Sequence, residues 1–191
     1  MEKDFSIKYK KAISSFKRDS RIKECFHYDR KNCSKEIISA HSLQKNGVLS
    51  LLEENVNGNL AVYSFLHIEI EDNLEYSGFT PLGKKEASTF LGYCKYHDME
   101  VFKTIENHDV DLENDEHCFL LSYRSFAKDF HAKYESIKGY KENEIVNSNF
   151  NKSILKEIIK GSELGNRDGI YVKERLNEIL RKKEFNELEY F

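Results

Sequence analysis

The spacing of apolar positions changes character several times along this 191-residue chain. Over residues 5–24, Phe5, Ile7, Tyr9, Ile13, Phe16 and Ile22 lie scattered among polar residues, which predicts a short helix or an irregular arm. "EIIS", residues 36–39, is rich in β-branched side chains and predicts a short strand running into His41. Leu43, Val48, Leu51 and Leu52 then fall at helical spacing, and "NVNGN" predicts the stop. Residues 60–70 alternate as a strand does. "DNLEYSGFTPLGKK", residues 72–85, holds the single proline, Pro81, and two glycines, and reads as a loop or small insertion. "ASTFLGY" predicts another strand, entering "CKYHD". The next stretch, "DMEVFKTIEN", is amphipathic, with Val101, Phe102 and Ile105 on one helical face.

Beyond residue 107 the pattern becomes helical throughout. "DVDLENDEHCFLLSYRSFAKDFHAKYESI" predicts one long helix whose acidic start complements the positive end of its dipole. "NSNFNKSILKEIIKGSELG" and "RDGIYVKERLNEILRKKEFNELEYF" predict further helices. There is no internal repeat. The layout is α+β, in three parts: a helical arm over 1–24, an α+β unit over 25–106, and a helical region over 107–191. The apolar end "LEYF" stops abruptly, as a fragment of a longer protein would.

Composition narrows the class. The 24 Phe and Tyr side chains give enough apolar volume for a packed core and argue against general disorder. No apolar run reaches the roughly 18 residues a membrane helix needs, and the N-terminus carries no apolar signal segment. A cytoplasmic protein with no membrane attachment is expected. Charge is uneven: residues 1–52 hold 12 Lys/Arg against 6 Asp/Glu, and residues 53–116 hold 4 against 15. The basic N-terminal segment suits DNA or RNA phosphate, and the acidic middle suits a protein partner or a homo-oligomer.

Four cysteines and seven histidines in a reducing compartment point to a metal site or buried thiols, not to a disulfide framework. The candidate ligands are Cys25, Cys33, His41, Cys94 and His97. Cys94 and His97 are three positions apart, so a knuckle or the first turn of a helix aims both at one point. Cys25 and Cys33 are eight apart, which forces "FHYDRKN" to loop out between them. With Cys25, Cys33, Cys94 and His97 as ligands, zinc is fully coordinated and the site is structural. His41 is then left for chemistry. His27 is a weaker alternative ligand, and Cys118, within "CFLLSY", reads as a core thiol.

This arrangement resembles the HNH, or ββα-metal, endonucleases. The resemblance implies a treble-clef zinc unit. It places the general base at His41, with a magnesium or manganese ion to stabilise the scissile phosphate. The family's helix histidine corresponds to a position where His97 is committed to zinc, which leaves Asp98 or Glu106 for the ion. Asn46 or Gln44 stands near the family's middle asparagine, without matching its spacing. The blocks "CSKEIISAHSLQKNG", "KKEASTFLGYCKYHDMEVFKTIE" and "CFLLSYRSFAKDF" also resemble a family of uncharacterised bacterial proteins, over roughly residues 25–135.

Two other readings stand beside the nuclease. One is a non-enzymatic zinc module of a bacterial complex, or a degenerate relative that kept nucleic-acid binding. The other rests on Arg124 and His131 in "RSFAKDFH", which resemble the R-x(4–6)-H pattern of HEPN ribonucleases; a solvated helix face is the plainer account of the same residues. Phosphate-binding glycine loops, GxSxG and HExxH are absent from the sequence.

Overall fold

The computed structural model describes residues 11, 14–44, 47–64, 68–71, 74–77, 79–143 and 151–188. Its organising feature is a pair of antiparallel strands far apart in sequence: β1, Ile37–His41, and β7, Thr89–Cys94. The register sets Ile37 opposite Cys94 and His41 opposite Thr89, with an irregularity between Ile38 and Ala40. β7 passes directly into helix α2, Lys95–Asn107. Cys94 caps that helix, its sulfur accepting from the His97 amide at 3.4 Å.

The described residues between β1 and β7 form a small lobe. It holds the single-turn helix α1, Val48–Leu51, and strands β2, Glu54–Val56, β3, Asn59–Ser64, β4, Ile68–Glu71, β5, Leu74–Ser77, and β6, Thr80–Gly83. β2, β3 and β6 make one antiparallel sheet, and β4 pairs with β5. The expected loop over 72–85 is therefore corrected: most of its described part is strand. Pro81 sits opposite Tyr63 on β6, an edge strand, where its missing N–H breaks no ladder on the open side. "NVNGN" ends no helix. Asn57 and Gly58, at φ 53° and 83°, make the left-handed two-residue turn that joins β2 to β3. The helix predicted over 43–52 shrinks to one turn.

The long helix α3, Asp115–Glu142, starts at Asn114, whose side chain accepts from the Glu116 and His117 amides. This cap places the start six residues later than the acidic run alone suggests. α4, Lys152–Lys182, is continuous through "GSELGNRDG", so two predicted helices are one. Glycine inside a helix costs about 1 kcal/mol against alanine; packing against α3 outweighs it, with Gly169 against the Phe130 ring. A 3-10 turn, Phe185–Glu187, closes the described chain, and Glu189–Phe191 lie outside the described residues.

One core joins the strand–helix unit to the helices. Phe26, Tyr93, Phe102, Phe119, Tyr123, Phe130 and Ile179 are all buried in it. Phe26 stands at its centre, edge-on to Tyr93, Tyr123, Phe126 and Phe130. Burying each such ring contributes about 1.5–3 kcal/mol, which fixes α3 against β7 and α2. The lobe's own core is much smaller, built from Leu49, Val62 and Ala87. Residues 14–20 are helical and dock on α3, with Phe16 against Gly139. Among the described residues, no helix is long and apolar enough to cross a membrane.

Candidate metal centre and adjoining cleft

Three chain segments converge where β7 meets α2. The first is residues 24–26, which pair with the outer side of β7: Glu24 N–H donates to the Leu91 carbonyl at 3.3 Å and Phe26 N–H to the Gly92 carbonyl at 2.6 Å. This brings Cys25 beside Cys94. A side chain at position 92 would meet the Phe90 ring at 2.3 Å, so glycine there leaves room for that ring. The second segment is the loop to Cys33. Asp29 folds it, accepting from the Lys31 amide at 3.0 Å and the Asn32 side chain at 2.6 Å. Arg30 ties it back, donating to the Cys25 carbonyl at 2.6 Å. These contacts explain how an eight-residue separation yields two donors at one point. The third is α2 itself, whose first turn presents His97.

The result is a cluster of Cys25, Cys33, Cys94 and His97, whose donor atoms all lie within 4.8 Å of one another. His97 Nδ1 is 3.4 Å from the Cys25 sulfur, 3.4 Å from that of Cys33 and 3.3 Å from that of Cys94. A tetrahedron with Zn–S near 2.3 Å and Zn–N near 2.0 Å has S···N edges of about 3.5 Å. The spacing and the soft donor set both fit a zinc-type ion. Burial, then the neighbouring Cys25 and Cys94, pushes the Cys33 thiol up to about 12. Burial raises the Cys25 thiol as well. Burial acts the same way on Cys94, but the His97 amide and Ser34 outweigh it and hold that thiol below its ordinary value.

His27 is not in the cluster. It is buried and stacked on the His97 ring at 3.9 Å between centroids, backing that ligand in place. Burial, then His97, takes its pKa down to about 4. The polar loop expected around it is in fact packed on the site. Cys118 is half-buried, not a core thiol, and its sulfur donates to the Leu112 carbonyl at 3.2 Å.

His41 lies at the far end of the strand pair and is not among the clustered donors. Thr89, its partner, is five residues from Cys94, about 16 Å along a strand. His41 Nδ1 is 3.0 Å from the Ala87 carbonyl, which can only accept, so the neutral ring carries its proton on Nδ1 and its basic nitrogen is Nε2. The ring lines a cleft of about 340 Å³ with Asp98, Met99, Lys103, Glu106 and Arg124. Asp98 and Glu106 stand on one face of α2, two turns apart. Gln44 holds the helix end to the strand side, donating to the Ile105 carbonyl at 2.9 Å; Asn46 lies outside the described residues.

Arg124 reaches into this cleft from α3. Its guanidinium bonds both Glu106 and Asp98, the latter at 3.4 Å, and covers the Phe102 ring at 4.1 Å. Burial raises the Asp98 carboxyl, and Arg124 opposes that rise. Sequence reasoning had attached Arg124 to His131 through their spacing; the fold attaches it to α2. His131 is buried elsewhere, its Nε2 donating to the Ile22 carbonyl at 3.0 Å. The two do not form a solvated helix face: Arg124 is 2% exposed and His131 8%. What sequence missed is the Arg124–carboxylate bridge, because a contact across 18 and 26 positions leaves no local periodicity.

Compared with family models, curated proteins and solved structures, the chain matches none.

Proposed function

We propose that this chain is an HNH-like, metal-dependent nuclease with a structural zinc held by Cys25, Cys33, Cys94 and His97. One observation carries the reading: an antiparallel strand pair runs directly into a helix, with a histidine at the end of the first strand facing carboxylates on that helix across a cleft. Such a strand–strand–helix unit with its zinc at the strand–helix junction supports a treble-clef description.

In this reading His41 Nε2 takes a proton from water as its oxygen attacks the phosphorus of a nucleic-acid phosphodiester; the P–O bond opposite breaks, and the leaving sugar oxygen takes up a proton from solvent. The Ala87 carbonyl keeps the ring in the tautomer this needs. Asp98 and Glu106 would hold magnesium or manganese, which supplies charge stabilisation for the leaving oxygen. The basic N-terminal segment offers Arg21, Lys23 and Lys35 to the phosphate backbone. The zinc takes no part in the reaction. It holds β7, α2 and residues 25–33 together.

A second reading is favoured by one observation, the Arg124 bridge. With both carboxylates on a guanidinium, the unit is also a finished ion-pair network, as a non-enzymatic zinc module for a protein partner would have. Plasmid and RNA cleavage by the zinc-loaded protein with magnesium or manganese separates the two. Cleavage lost in His41→Ala supports the nuclease; no cleavage by the native chain supports the module.

A further inference from the structure

Arg124 poses a problem for the nuclease reading, and its geometry contains an answer. In the bridge two carboxylates share one guanidinium, and Lys103 lines the same cleft. The bridge is imperfect. The contact to Asp98 is long, at 3.4 Å, and Arg124 Nε is buried without a hydrogen-bond partner. A buried donor left unpaired makes the closed arrangement less stable than a fully satisfied one. Besides the two carboxylates, the guanidinium has the face of the Phe102 ring at 4.1 Å, a contact without a fixed hydrogen-bond geometry.

We propose that Arg124 is a latch on this site. In the resting protein it holds the two carboxylates that a divalent cation needs; when the cation takes them, the released guanidinium turns to the substrate's phosphate. Metal and phosphodiester then bind cooperatively, each favouring the unlatched state. The released fork offers Nε–H and a terminal N–H side by side, the pairing that suits two phosphate oxygens. This inference rests on the assignment of Asp98 and Glu106 to the catalytic ion.

The test is Mn2+ binding to zinc-loaded protein, read as free Mn2+ by electron paramagnetic resonance. It is run on the native chain, Arg124→Gln, Arg124→Lys and the Asp98→Asn/Glu106→Gln pair, with and without a short phosphorothioate oligonucleotide. The latch predicts that Arg124→Gln binds Mn2+ about tenfold more tightly than the native chain. It also predicts that the oligonucleotide tightens Mn2+ binding in the native chain and not in Arg124→Gln. Arg124→Lys keeps the charge but cannot bridge both carboxylates, so its gain reports the lost bridge, and it carries the test if Arg124→Gln fails to fold. Equal Mn2+ affinity in the native chain and the Arg124 variants overturns the latch and leaves the ion assignment standing. Mn2+ binding no stronger in any of these proteins than in the Asp98/Glu106 pair variant overturns both.

Discussion

The Cys94 sulfur lies 3.3 Å from His97 Nδ1 and at the same time accepts the His97 backbone N–H at 3.4 Å. One side chain thus starts helix α2 and meets the donor that α2 presents. The helix dipole and this amide both favour the thiolate that a metal requires. Strand end, helix start and half of the candidate metal site are a single local device, built from the four consecutive residues 94–97.

Zinc removal should therefore loosen the strand–helix junction. Chelation, or Cys94→Ser, is expected to release about one zinc per chain. A loss of only about 4 kcal/mol of binding-linked stability would lower the melting temperature by about 10 °C at this chain length. Calorimetry with metal analysis checks this. An unchanged melting temperature after full zinc loss would contradict a structural role.

Zinc binding should also release protons. Metal-free, Cys33 is held protonated by burial and by its neighbouring thiols, and Cys25 by burial. Both must ionise to ligate. Affinity is expected to fall steeply as pH drops from 8 to 6, by more than tenfold per unit. Competition against a chromophoric chelator measures it. A pH-independent affinity would mean the thiols are not the ligands.

His131 is expected to matter for stability and not for cleavage. Its Nε2 pins the Ile22 carbonyl, so His131→Leu leaves that acceptor unpaired and should cost about 1–3 kcal/mol. Denaturant melts and cleavage assays on the same preparation check the split. RNA cleavage that persists in EDTA and disappears in His131→Leu would instead favour the HEPN-type account.

Phe26→Ala should act at a distance on the metal. The ring meets four aromatic partners and sits next to Cys25. Its loss is expected to destabilise the fold by about 3–5 kcal/mol and to weaken zinc retention. Normal zinc affinity in a folded Phe26→Ala protein would show that Cys25 is placed without the core.

The parts of this molecule that were readable in sequence were those with local signatures. "IISAH" and "TFLGYC" carry strand composition, and Cys94 with His97 carries helix-turn spacing; both fell where expected. The lobe was harder. "NVNGN" reads as a helix stop or as a hairpin turn, and only pairing with residues 59–64 decides. Pro81 argued for a loop because an edge position cannot be seen from one strand. The loop that the Cys25–Cys33 separation forces was legible, but not the Asp29 and Arg30 contacts that fold it. The partners of Arg124 were not legible because Asp98 and Glu106 are chosen by how α3 docks on α2.

The most direct test of the account is the zinc content and the Mn2+-dependent cleavage of His41→Ala beside the native chain. The account predicts a variant that keeps its zinc, melts like the native protein, and loses cleavage by at least about a hundredfold, the usual contribution of a general base. Loss of zinc from His41→Ala, or cleavage undiminished with zinc in place, would contradict it.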